Sequence, residues 1–119
     1  YKHEFNPPHW HGGLYSFVIW MKIPYSWHEQ IKLPQFQTTK MNDRKAGMFE
    51  FEYADTRGET RSLSYQLSPE FEGCMCFFPA WMRHAVYPFF DTDEERVSIS
   101  GNIWYQDGPP VTKGKGFGL

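Results

Sequence analysis

Three histidines in this chain have the side-chain type and the spacing of ligands to one metal ion. His9 and His11 lie two positions apart in the segment Pro-Pro-His-Trp-His-Gly-Gly, and His84 follows much later in Trp-Met-Arg-His-Ala-Val. Side chains two positions apart on a β-strand point to the same face, so two imidazoles can reach neighbouring coordination positions. Two close ligands and a distant third are typical of a mononuclear iron site that leaves positions for substrate and oxygen.

Two ligand sets are compatible with this pattern. The usual set in iron oxygenases is two histidines and one carboxylate, and here His11 stands where the carboxylate would be. Either all three imidazoles bind, which leaves a ferrous ion more positively charged, or one of His9 and His11 lies beside the metal as a partner of a ligand. His3 and His28 lack such a setting, and we expect them at the surface.

Arg96 and Ser98 supply a candidate anion site on the last strand-like segment. They would share one face of a strand, because they are two positions apart. A buried guanidinium needs an anion, and it can hold a carboxylate through two parallel hydrogen bonds, to which the Ser98 hydroxyl adds a third. The alternative is a surface salt bridge from Arg96 to Asp91, Asp93 or a nearby glutamate.

Composition excludes several classes of protein. The chain has 119 residues, 19% of them aromatic, and a net charge of −2, which argues for one domain rich in strands and against nucleic acid as partner. No apolar run is long enough to span a bilayer. Cys74 and Cys76 are too close for a relaxed disulfide, which predicts reduced thiols in a cytoplasmic protein. The aromatic excess favours a homodimer.

Short strand-like segments separated by turns predict an all-β fold, a double-stranded β-helix or jelly roll of the cupin kind. These segments cover residues 14–23, 48–53, 61–67, 73–78, 85–89 and 96–105. Residues 25–46 are predicted to form a long loop over the site, and residues 106–119 an irregular tail. We interpret 1–119 as a single domain. Because it begins with Tyr1 rather than Met, we expect a fragment or processed form of a longer chain.

Several motifs occur together in the order of one known family. They are His9-Trp10-His11 followed by a strand ending at Pro24, then Asp55-Thr56-Arg57, then Gly73, Phe78-Pro79, Trp81, His84, an acidic stretch and Arg96-Val97-Ser98-Ile99-Ser100-Gly101-Asn102. The chain resembles the iron(II)- and 2-oxoglutarate-dependent oxygenases, in particular a phage and marine bacterial group related to prolyl hydroxylases. The family usually has upstream helices and a first strand, which are not in this chain.

The resemblance implies a site for Fe(II) and 2-oxoglutarate. The iron would be bound by His9, His84 and, in one alternative, His11. The implied reaction converts 2-oxoglutarate and oxygen to succinate and carbon dioxide and hydroxylates a C–H bond, in a prolyl or other peptidyl substrate or in a small molecule.

The resemblance also implies how the co-substrate is held. Its C5 carboxylate would lie on Arg96 with help from Ser98. Tyr15 or Trp20 would line the pocket.

Two other functions are compatible with the same residues. One is a cupin-like metal enzyme without 2-oxoglutarate, in which Glu50 or Glu52 would be a fourth ligand beside the three histidines. The other is a non-catalytic jelly-roll binding module whose exposed aromatics, such as Trp10, Trp27 and Trp81, contact a ligand.

Overall fold

Eight strands dominate the computed structural model, which describes residues 1–37 and 44–105 and the backbone of 117–118. The strands are Asn6–His9 (β1), Tyr15–Lys22 (β2), Phe49–Ala54 (β3), Thr60–Tyr65 (β4), Met75–Pro79 (β5), Arg83–Val86 (β6), Val97–Ile103 (β7) and Phe117–Gly118 (β8). The predicted tail, 106–119, lies outside the described residues except for the backbone of β8.

The strands form two four-stranded antiparallel sheets. One has the order β1-β6-β3-β4 and the other β5-β2-β7-β8. Several strands that are neighbours in a sheet are distant in the chain, as in β2 pairing with both β5 and β7. This two-sheet jelly-roll sandwich confirms the predicted all-β fold.

The core lies between the sheets and is built from alternating side chains. On β2, Ser16, Val18 and Trp20 are buried, because every second side chain of a strand points to the same face. They meet Phe49 and Phe51 of β3, both at most 4% exposed. The ring of Trp20 contacts that of Phe49 edge-to-face, with centroids 5.6 Å apart.

The segment predicted as a long loop contains two short helices. They are Trp27–Gln30 (α1) and Pro34–Gln37 (α2), of four residues each. The prediction of an irregular loop was therefore wrong for this part, because a single helical turn is too short to show a hydrophobic period in the sequence. Gln30 is fully buried, and its Oε1 accepts a hydrogen bond of 2.8 Å from the backbone N–H of Phe90.

Two further features bear on the class of protein. Within the described part of the chain, no helix is long and apolar enough to cross a membrane. Cys74 and Cys76 are free thiols, the first exposed and the second half-buried.

Candidate metal centre and adjacent anion site

His9, His11 and His84, the histidine trio, converge at one end of the sandwich. His9 ends β1 and lies directly opposite His84 of β6 in the antiparallel register. His11 follows two residues after β1, and its backbone N–H donates to the carbonyl of Ala80 at 3.0 Å, in the turn that leads into β6. The pairing of two distant segments therefore brings the early and late histidines together.

The rings of the trio are close enough to share one ion. Their centroids are 4.2 Å apart for His9 and His84, 5.0 Å for His9 and His11, and 5.1 Å for His11 and His84. One ligand nitrogen from each ring lies within 4.8 Å of the others. Nitrogens that share an ion at 90° are about 3 Å apart, given metal–nitrogen bonds of about 2.1 Å. Small rotations of the three side chains would therefore bring their ligand nitrogens to the separation that a shared ion requires.

Backbone carbonyls orient two of the three rings. The Nδ1 of His9 is 2.6 Å from the carbonyl oxygen of Pro7, and the Nδ1 of His84 is 3.0 Å from that of Met82. A carbonyl only accepts, so each Nδ1 carries the proton and donates. The lone pair of each ring is then on Nε2, the arrangement that metal-bound histidines usually have.

The surroundings favour the neutral, metal-binding form of two of the three histidines. Burial, together with the nearby His9 and His11, lowers the pKa of His84 to about 4 despite its hydrogen bond to Met82. Burial also lowers the pKa of His11, and His9 lowers it further. Three imidazoles with ligand nitrogens this close together fit a divalent transition-metal ion.

A cavity of about 250 Å³ extends from the trio between the sheets. Its polar lining residues, besides the histidines, are Asn6, Ser16, Ser98, Ser100 and Asn102. Its apolar lining residues include Phe17, Val18, Phe49, Phe78 and Val86. The Ser16 hydroxyl donates to the Asn102 side-chain oxygen at 2.5 Å. Apart from the histidines, no ionisable side chain lines this cavity among the described residues.

A second, more open cavity of about 550 Å³ contains Arg96. Asn6, Val86 and Ser98 line both cavities, so the two are neighbours. Arg96 immediately precedes β7 and is half-buried. The structure thus brings Arg96 and Ser98 to a cavity beside that of the trio.

Arg96 makes only neutral contacts within the described residues. Its Nη1 donates to the hydroxyl of Tyr25 at 2.8 Å and to the carbonyl of Tyr87 at 3.2 Å. The surface salt bridge considered from the sequence is not formed there: Asp93 pairs with Lys2 instead. A half-buried cation with neutral partners in an open cavity is suited to bind an anion.

Tyr15 and Trp20 lie apart from both cavities. Tyr15 is 43% exposed and stacks on Phe77 with centroids 4.9 Å apart. Trp20 is buried in the core against Phe49 and Phe71. On β2 it is instead Ser16, Phe17 and Val18 that line the inner cavity.

Glu50 and Glu52, considered as a fourth ligand, are engaged elsewhere. Glu50 is fully buried, and its carboxylate accepts hydrogen bonds from Lys45 at 2.9 Å and Ser64 at 2.7 Å. Glu52 is 3.7 Å from Arg83. Among the described residues, the group of side chains close enough to hold a metal consists of the three histidines.

Sequence reasoning missed the residues that surround Arg96. Tyr25 and Tyr87 contact it although they are 71 and 9 positions away. Neither belongs to a motif, and only the fold brings them to the guanidinium. The positions of Asn102 and Ser16 in the cavity, by contrast, could have been predicted, because each lies an even number of residues along its strand from another side chain that faces the cavity.

Comparison with known protein families identifies the class of protein to which this chain belongs. Residues 1–102 match the model of one family, described as "Putative 2OG-Fe(II) oxygenase". The match covers well over half of the chain, and the protein belongs to this 2-oxoglutarate- and Fe(II)-dependent oxygenase family. The family's cofactors are Fe(II) and 2-oxoglutarate, and the trio is a group that can hold the iron. No curated protein and no solved structure matched the chain.

Proposed function

We propose that this protein is an Fe(II)- and 2-oxoglutarate-dependent dioxygenase that hydroxylates a C–H bond. In this proposal His9, His11 and His84 bind the iron, and Arg96 with Ser98 binds the C5 carboxylate of 2-oxoglutarate. The observation that carries it is a half-buried guanidinium, without a carboxylate partner among the described residues, in a cavity that shares the lining residues Asn6, Val86 and Ser98 with the cavity of the histidine trio.

The separation of the two sites supports this assignment. Arg96 donates to the carbonyl of Tyr87, three residues beyond His84, which corresponds to about 10 Å along an extended chain. The terminal carbons of an extended 2-oxoglutarate are about 5 Å apart by ordinary bond lengths. Adding a metal–oxygen bond of about 2 Å and a hydrogen bond of about 3 Å bridges that span.

The charges of the two proposed sites and of 2-oxoglutarate are also complementary in sign. Three neutral imidazoles leave the full charge of a divalent ion at the trio, where a ligand carboxylate would have reduced it. Arg96 adds one more positive charge at the other end of the space. A dianionic keto acid with one carboxylate at each end complements both charges.

When bound, the iron and 2-oxoglutarate supply the oxidising chemistry, in which one oxygen atom enters a C–H bond and the other enters succinate. The chain contributes position and shielding. The trio fixes one end of the co-substrate and Arg96 the other, while Phe49, Phe78 and Val18 form an apolar wall that limits water.

The substrate is proposed to be peptidyl, prolyl included, or a small molecule. Trp10 and Trp81 are each 66% exposed and lie next to segments that carry the trio. Their rings offer flat apolar surface to a substrate approaching the metal.

An anaerobic titration with Fe(II) and 2-oxoglutarate tests the proposed function. Chelation of the keto acid by iron at the trio should give a weak visible charge-transfer band. The Arg96→Ala variant should require at least tenfold more 2-oxoglutarate, because it loses a charge-assisted, two-bond contact. Absence of a band in the wild type, with no succinate formed in air, would contradict the proposal.

The three-histidine set also favours a second candidate, a metal enzyme without 2-oxoglutarate, since three histidines and an open position are a known catalytic arrangement. In that case Arg96→Ala should retain both metal affinity and activity.

A further inference from the structure

We propose that Tyr25 is a positioning residue that fixes the guanidinium of Arg96 and thereby sets the length of keto diacid the site accepts. The inference rests on the proposed function, in which Arg96 binds the distal carboxylate of 2-oxoglutarate. Nothing in the sequence motifs assigns Tyr25 a role.

The hydroxyl of Tyr25 is locked in one orientation. Tyr25 is 4% exposed, and its hydroxyl donates to the carbonyl of Gly47 at 2.7 Å. A hydroxyl has one proton and can accept through its lone pairs. Because the proton is committed to Gly47, a lone pair is presented to Arg96, whose Nη1 donates to it at 2.8 Å.

The rings beside Arg96 restrict it further. Tyr25 stacks on Phe89 with centroids 4.6 Å apart and an angle of 18°. The central carbon of the guanidinium lies 5.8 Å from the centroid of Tyr25 and 5.4 Å from that of Phe89, within the range of cation–π attraction. The guanidinium therefore lies against a rigid aromatic pair.

The hydrogen bonds select which edge of the guanidinium stays available. Nη1 has two protons, and both are used, one by the Tyr25 hydroxyl and one by the Tyr87 carbonyl. Among the described residues, the Nε and Nη2 protons have no partner, and they form a fork of the kind that binds a carboxylate with two parallel hydrogen bonds.

Because the Nε–Nη2 edge of Arg96 is fixed, binding depends on the length of the keto diacid. Each added or removed methylene moves the distal carboxylate by more than 1 Å, which is enough to break one of two parallel hydrogen bonds. With Tyr25 in place, we expect the five-carbon 2-oxoglutarate to bind both the trio and the fork. Four-carbon oxaloacetate would be too short and six-carbon 2-oxoadipate too long to bind both ends without strain.

Calorimetric titration of Mn(II)-loaded protein with these three keto diacids tests the inference without turnover. Wild type should prefer 2-oxoglutarate. In Tyr25→Phe, the affinity for 2-oxoglutarate should fall about tenfold, as for one lost hydrogen bond to a charged group. The affinity for oxaloacetate and 2-oxoadipate should fall less, so the preference for 2-oxoglutarate over them should become smaller. The affinity for Mn(II) alone should not change.

Tyr65→Phe is the matched control, because Tyr65 packs on Phe49 and Phe51, and it should leave the preference intact. Equal weakening of all three acids in Tyr25→Phe would show a general structural effect and overturn the inference, as would an unchanged preference. Wild type that binds none of the acids would instead overturn the proposed function.

If Tyr25→Phe does not fold, Arg96→Lys independently tests whether the fixed guanidinium edge sets the length preference. It retains a positive charge and the Tyr25–Gly47 hydrogen bond but removes the fork. The length preference should be lost. A lysine variant that still discriminates among the three acids would overturn the inference.

Discussion

At the scale of single residues, burial lowers the pKa of His11 and His84, and backbone carbonyls orient the rings of His9 and His84, as in histidines that bind a metal. His84 is 5% exposed, and burial with two neighbouring histidines lowers its pKa to about 4. The sequence predicted which histidines converge. It did not predict their protonation, which depends on burial and on backbone carbonyls that only the fold supplies.

Acid should destabilise the metal-free protein through His84. Its pKa is about 4 in the folded state and near 6.5 when unfolded, so the unfolded state binds more protons between these values. Stability is therefore fully present above pH 6.5 and declines as the pH falls towards 4, by up to about 3 kcal/mol. Denaturant unfolding of wild type and His84→Gln across this range measures the effect. An identical slope in both proteins would contradict it.

Removing the imidazoles one at a time tells the two ligand sets apart. If all three bind, His9→Ala, His11→Ala and His84→Ala should each weaken Mn(II) or Zn(II) binding by more than the 10–100-fold typical of a residue that only supports a ligand. His28→Ala, at an exposed position, is the control. A His11→Ala or His9→Ala variant with nearly normal affinity would show that the residue lies outside the coordination sphere.

At the scale of elements, the strands bring the site together and the turn before β3 supports it. The alternation of Phe49, Glu50 and Phe51 predicted β3 correctly as a strand, but both of its faces are covered here, since Glu50 is buried as fully as the two phenylalanines. The turn has no such signal. Gly47 has φ of +71°, and a Cβ added there would lie 2.5 Å from the Tyr25 ring.

Gly47→Ala should therefore cost more stability than Gly58→Ala. Both glycines have positive φ, so both alanine variants pay the conformational cost of about 1–2 kcal/mol. Only at Gly47 does the new methyl group also clash, since an added Cβ at Gly58 has no neighbour within 4 Å. Urea unfolding should show the larger loss at Gly47, together with weaker 2-oxoglutarate binding. Equal losses at the two sites would count against the tight packing of Tyr25.

At the scale of the whole molecule, the sandwich places the histidine trio and Arg96 in neighbouring cavities that share the lining residues Asn6, Val86 and Ser98. The sequence predicted the all-β fold, and the motifs predicted the family. They could not predict the surroundings of Arg96, because Tyr25 and Arg96 are 71 positions apart and no local pattern couples them. Contacts of this kind depend on how the segments outside the strands pack, since neither residue lies in a strand.

The central claim is that the histidine trio and Arg96 bind opposite ends of one co-substrate. An anaerobic crystal structure of the protein with Fe(II) and 2-oxoglutarate tests it most directly. The account predicts one ion bound by His9, His11 and His84, with the keto acid reaching from that ion to the Nε and Nη2 edge of Arg96. An ion held elsewhere, or a keto acid that leaves Arg96 without a carboxylate, would contradict it.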